Sequence, residues 1–319
     1  MNFEQFIREV KKEVQQLVGD QYSVSVNCVL KINRELQGIS IRPLNADTAP
    51  SVYLEDYYTE FQNGKEISQI AKEIVDLSNR RKLNVHIIME NLLDYEWVKQ
   101  RLRVKLINYE RNMKLLRSVP HEKMLDLAVV PFILLSKGAE IMSITVNNQL
   151  LNGWEISKDE MLKRAKENTM KMEPVIVEKM TDVILRMILN EFRSMASEGK
   201  ECEKEEFLNG IIGTNTGRNE MYILTNQDKC NGAFSAFQTK NLSDLADHIG
   251  VDKLYILPSS IHEAIVVPAN GIDGNQLEEM VYSVNRTEVN AEDFLSDEVY
   301  VFSKGKENPP VIVRYRQNN

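Results

Sequence analysis

The stretch Tyr255-Ile-Leu-Pro-Ser-Ser-Ile-His-Glu-Ala-Ile-Val-Val-Pro268 limits the fold more than any other. Two aliphatic, partly β-branched runs, 254–257 and 264–267, flank a polar corner at Pro258, Ser259, Ser260, His262 and Glu263. Each run is too short for a helix and both are bounded by proline, so they predict two strands meeting at a turn. Continuous apolar character on both runs requires cover on both faces of the sheet that holds them. Other elements must therefore pack on either side.

The rest of the chain supplies them. Phe3, Phe6, Ile7, Val10, Val14, Leu17 and Val18 recur at helical spacing, and Gly19 marks the end of that helix. Alternation at Tyr22, Val24, Val26, Cys28, Leu30 and Ile32 predicts a half-buried strand, returning through Ile39 and Ile41. A short strand at 52–54 and a helix through Ile67, Ile70, Ala71, Ile74 and Val75 follow. In 101–106 the period is two, with Leu102, Val104 and Leu106 on one side and Arg101, Arg103 and Lys105 on the other. That is a strand with a basic outer face. A short helix over 109–117 stops before Pro120.

From 124 onward short strands alternate with helices. Strands are predicted at 125–135, 141–146, 175–177, 221–225, 233–237, 299–302 and 311–315. Helices are predicted from the Ser157-x-x-Glu160 capping box, over 183–195, over 242–249 with Gly250 after it, and over 276–286. The polar stretch 197–220 reads as a mobile loop. Strand-turn-helix at 141–166 and again at 233–249 is a faint echo without a shared motif, too little for a repeat. The expectation is an α+β protein in two lobes, 1–120 and 121–319, with mixed or antiparallel sheets and helices packed on them.

Charge and cysteine usage narrow the function classes. The 319 residues carry a formal charge of −8, which disfavours non-specific binding to nucleic acid or anionic membrane. Cys28, Cys202 and Cys230 are odd in number and far apart, so they predict reduced thiols in a cytoplasmic protein and no disulfide. The acidic start lacks the basic and apolar regions of a signal peptide, and the longest apolar run, 127–135, contains Pro131 and is too short to span a membrane.

Several motifs together, Tyr222-Ile-Leu-Thr-Asn226, Gly232-Ala233, Leu257-Pro-Ser-Ser-Ile-His-Glu263, Leu295-Ser-Asp-Glu-Val-Tyr300, Lys105-Leu-Ile-Asn-Tyr-Glu-Arg-Asn112 and Val119-Pro-His121 with Leu125-Asp-Leu127, carry a resemblance. Along its whole length the chain resembles a family of uncharacterised bacterial proteins labelled as a domain of unknown function, from anaerobic gut Gram-positive bacteria. The resemblance implies an intracellular bacterial protein, with mobile-element carriage as one context, and brings no active site with it.

Chemistry has to be sought in the residues. Ser260, His262 and Glu263, oriented by Asn226 or Asn285, could serve a hydrolase or transferase of small molecules. A serine nucleophile also needs its base within reach and an oxyanion hole, and no G-x-S-x-G elbow provides them. The alternative is that Ser259 and Ser260 satisfy backbone groups at a turn. His86, His121 and His248 stand apart, no metal-ligand spacing occurs, and no phosphate-cradling glycine motif is present, so no metal or cofactor is expected. The face of Arg101, Arg103 and Lys105 reads first as paired to the protein's own acids, with an open anion-binding surface as the sharper alternative. The leading reading is a non-enzymatic intracellular binding or regulatory protein, its partner a protein or small molecule. The hydrolase or transferase built on 258–263 is its rival.

Overall fold

The computed structural model describes residues 1–46, 49–136, 141–197, 220–258, 260–305 and 309–316; side chains of 81–90 and 191–197 are left aside. The predicted loop 197–220 therefore lies almost wholly outside the described residues, as do Ser259 and Cys202. The architecture is α+β, and every strand pairing is antiparallel. The chain divides into two compact units, 1–98 with 152–155, and 99–151 with 156–319.

The first unit packs helices on a three-stranded sheet. Helix α1 (Phe3–Val18) opens with a capping box between Asn2 and Gln5 and ends at Gly19, whose φ of 71° suits glycine. Strands β1 (Tyr22–Lys31), β2 (Arg34–Pro43) and β3 (Ser51–Tyr53) follow in spatial order. Helices α2 (Glu55–Gln62), α3 (Ile67–Leu93) and α4 (Tyr95–Lys99) complete the run. Phe6, Val10 and Val14 bury against Ile39, Ile41, Val52, Ile70 and Ile74. Of the alternating row on β1, Tyr22, Val24 and Val26 reach this core, whereas Cys28, expected inward, is exposed. At Cys28 the alternation continues beyond the residues of the buried cluster.

The second unit holds two sheets. The smaller has the order β4 (Leu102–Asn108), β6 (Leu127–Ser136), β5 (Glu122–Met124), with β7 (Met142–Thr145) also on β6. Residues 99–120, assigned above to the N-terminal lobe, lie here because β4 is registered to β6 from Leu102↔Ile133 to Asn108↔Leu127. The expected helix over 109–117 is a single turn, α5 (Met113–Leu116). After α6 (Asn148–Gly153), helix α7 (Lys158–Met172) starts at Ser157, which accepts the Glu160 N–H. It then seals the outer edge of β4. Thr169 Oγ1 accepts the Val104 N–H at 2.9 Å, and Asn168 Nδ2 donates to the Lys99 and Leu102 carbonyls.

The larger sheet has the order β13-β12-β10-β11-β9-β8: Val311–Arg314, Tyr300–Ser303, Lys253–Leu257, Ala264–Pro268, Tyr222–Asn226 and Val175–Lys179. The organising runs are its central hairpin, registered Leu254↔Pro268 through Leu257↔Ile265. Leu254, Ile256, Leu257, Ala264, Val266 and Val267 are all buried. Leu257 and Val267 pack on Leu277 and Val281 of α10 (Gly274–Thr287). Helices α8 (Met180–Ser197) and α9 (Thr239–Ile249, closed by Gly250 in the left-handed region) are further helices of this unit.

Residues 233–237, expected as a strand, form a 3-10 helix, Gly232–Phe237. All six of its residues are buried. A run enclosed on every side shows no period from which strand and helix can be told apart. The echo between 141–166 and 233–249 disappears with that strand. Among the described residues no helix is long and apolar enough to cross a membrane.

Candidate functional site

The basic face of β4 is not a surface. Arg103 and Lys105 are 4% and 6% exposed, because α7 covers the edge of a strand whose residues are buried throughout. Arg103 Nη1 donates to the Gln100 and Leu102 carbonyls, and its Nε lies 3.4 Å from Glu173 Oε1. Burial pulls the guanidinium pKa down and Glu173 opposes the shift. Lys105 Nζ stands 5.3 Å from the centre of the Phe132 ring. Arg101, at the strand's entry, is half-buried. Of the two readings of the period-two pattern, Arg103 follows the pairing to the protein's own acids, in a buried contact with Glu173. A strand in an interior layer can carry charge only where a counter-charge waits for it.

The polar corner is also arranged differently from a serine site. Ser260 Oγ accepts the backbone N–H of His262 at 3.0 Å, and the Ser260 N–H donates to the Glu263 carbonyl. The serine closes the turn and does not engage the imidazole. Asn285 donates to the Ser296 carbonyl and to Asp297 and takes no part in the corner.

What the imidazole meets is the turn that carries Cys230, through the Asn231 N–H. The turn after β9 runs through Lys229 and Asn231, both in the left-handed region with φ of 49° and 54°, so that Cys230 is carried back toward the 260s. Asn226 fixes this turn from β9. Its Nδ2 donates to the Cys230 carbonyl at 2.8 Å and its Oδ1 accepts the Cys230 N–H at 3.2 Å. The same Nδ2 lies 3.2 Å from Glu173 Oε2. Gly232 brings the chain against β9 and the corner so closely that a Cβ there would stand 2.5 Å from Thr225 Oγ1 and 2.6 Å from the His262 carbonyl oxygen. That carbonyl accepts the Thr225 hydroxyl at 2.8 Å.

His262 is held at both ring nitrogens. The Asn231 N–H points at Nδ1 (3.2 Å), which must then accept, so the neutral ring carries its proton on Nε2 and donates it to Asp293 Oδ1 at 3.0 Å. Asp293 comes from the loop after α10, which is pinned where the Ile261 N–H meets the Asp293 carbonyl at 2.8 Å. A hydrogen bond with the Cys230 sulfur raises the imidazole pKa above its ordinary 6.5; burial lowers it, and Asp293 raises it further. The Asn231 N–H works against protonation, since it can donate only to an unprotonated Nδ1. Asn231 Nδ2 also approaches the sulfur, at 3.5 Å.

The arrangement is thiol, imidazole and carboxylate in series, partly open to solvent. In such a series the base can take the thiol proton and the carboxylate fixes the ring's tautomer. The three side chains follow one another and do not converge, and no metal-binding group of three such residues occurs among the described residues. Of the residues singled out in the sequence, His262 and Asn226 belong to this site, while Ser260 supports its turn. Cys230, Asp293 and Asn231 come to light only in three dimensions. Their one sequence cue is that Cys230 sits in the polar run Asn226-Gln-Asp-Lys-Cys-Asn-Gly232, where a packing cysteine has no apolar row to join.

Residues 3–304 match the Family of unknown function (DUF5688), and the chain belongs to that family. No curated protein and no solved structure matches it.

Proposed function

We propose that this member of a family of unknown function is an intracellular thiol-dependent hydrolase or acyl transferase acting on small molecules. Cys230 is its nucleophile, His262 its base and Asp293 the group that orients the imidazole. The observation that carries the reading is the doubly anchored ring of His262, with the Asn231 N–H on Nδ1 and Asp293 on Nε2, beside the turn that carries Cys230. In the reaction, Nδ1 gives up the Asn231 N–H and takes the thiol proton as Sγ attacks a carbonyl carbon. The resulting oxyanion finds an amide donor in Asn231 Nδ2. The leaving group departs with the proton from Nδ1, leaving a thioester on Cys230. Water then releases an acid, or an amine or alcohol takes the acyl group, and the thiol is regenerated. Free thiols at Cys28 and Cys230 fit a reducing compartment.

The two described cysteines provide an internal comparison. Cys28 is exposed and Cys230 half-buried, so access alone favours Cys28. Under limiting iodoacetamide, peptide mass spectrometry should show Cys230 alkylated faster than Cys28. His262→Ala should slow the Cys230 reaction by about 10²-fold and leave Cys28 unchanged. Turnover of activated thioesters or esters should be lost in Cys230→Ala. Faster labelling of Cys28 in the wild type would rule the reading out.

A further inference from the structure

The second unit holds a cavity of about 370 Å³ whose walls include Thr169, Glu173, Phe234, Ser235, Lys240 and Asn241. Its size lies in the range of small-ligand pockets. Helix α9 begins in this wall without a side-chain cap. Gln238 at the cap position turns its amide to the Phe234 carbonyl, and Asn241 Nδ2 donates to the Ser235 carbonyl. Leu242 is the first residue of the helix whose N–H finds a partner, the Gln238 carbonyl at 3.2 Å. The amides of Thr239, Lys240 and Asn241 have none among the described residues.

A second observation in the same wall is independent of the helix. Ser235 is 6% exposed and lines the cavity, and no hydrogen bond of its hydroxyl occurs among the described residues. The charges around the cavity also favour an anion. The helix N-terminus is its positive end, the exposed Lys240 adds a full charge, and the opposing carboxylate of Glu173 is engaged by Arg103 and Asn226.

We propose that this cavity binds a small molecule bearing a carboxylate or phosphate, its oxyanion seated on the free amides of α9 between the Ser235 hydroxyl and Lys240. The proposal stands whether or not Cys230 is a nucleophile. Inorganic phosphate and acetate, titrated separately into the full chain at constant ionic strength, distinguish the two anions. The one that saturates at lower concentration, raising the melting temperature and shifting the amide resonances of 239–241, identifies the class. Ser235→Ala should weaken that binding about tenfold without lowering the melting temperature of the free protein. Lys240→Glu should abolish it while leaving the free protein equally or more stable, since an acid in the first helical turn suits the helix dipole. Binding and stability thus move apart, which a merely structural role for these residues would not produce. No saturable response to either anion, a response unchanged in Lys240→Glu, or a destabilised Ser235→Ala protein would each overturn the proposal.

Discussion

His262 shows how one side chain can report on a whole site. The Cys230 sulfur and Asp293 hold its pKa above the ordinary 6.5 against the effect of burial. A group whose folded pKa is raised stabilises the fold in its charged form. That contribution is complete below about pH 6.5 and is lost as the pH rises through the folded value. The melting temperature of the wild type should therefore exceed that of His262→Gln most at mildly acid pH, and the gap should narrow as the pH is raised through neutrality. A gap that is constant or widens would mean that the imidazole is not stabilised as a cation. At this scale the sequence is half legible. His262 stands in an organised corner and can be found by its company, but its partners lie more than thirty residues away on either side. No spacing rule relates three residues that the sheet brings together. The charges on β4 are half legible for the complementary reason. Alternation identifies which side of a strand differs from the other, and it does not reveal that α7 and Glu173 will cover the charged side.

Elements with a period or a stop signal are legible in advance: α1 with Gly19, the hairpin of β10 and β11, α9 with Gly250, and the helix opened by Ser157. The 3-10 helix 232–237 is not, because burial on all sides erases its pattern, yet it presses the Cys230 turn against the corner. Gly232 makes that approach possible. An alanine there places a methyl group within 2.6 Å of Asn226 N and of the His262 carbonyl oxygen, both of them backbone atoms. Neither can rotate aside. Gly232→Ala should cost about 1–3 kcal/mol in urea denaturation, the range for overpacking a tight site. It should also slow Cys230 alkylation, because the displaced segment carries the turn that presents the thiol. A variant of unchanged stability and unchanged labelling would show that the helix can move independently of the corner.

Across the whole molecule, each unit has its own core, Phe6, Ile39 and Ile74 in one and Leu257, Val267 and Val281 in the other. The chain nevertheless returns to the first unit at 152–155. There Trp154 Nε1 donates to the Leu92 carbonyl at 2.8 Å and the indole packs on Tyr95. The sequence places two tryptophans, Trp97 and Trp154, at positions that both fall in the first unit. Tryptophan fluorescence therefore reports on that unit alone, whereas far-ultraviolet circular dichroism averages over both. The Arg103–Glu173 pair lies in the second unit, its side chains 5% and 6% exposed. Arg103→Ala takes a cation away from the buried Glu173 carboxylate, a loss of up to about 3–5 kcal/mol in comparable pairs. In a unit of this size that corresponds to a fall in melting temperature on the order of 10 °C. The dichroism transition of Arg103→Ala should move down by that amount, and the fluorescence transition should stay near its wild-type midpoint. Replacing Arg103 with Met and Glu173 with Leu together should recover much of the loss, since a matched apolar pair removes both buried charges. If fluorescence and dichroism instead fall together, the two units unfold as one cooperative body, and the cost of the stranded carboxylate is borne by the entire chain.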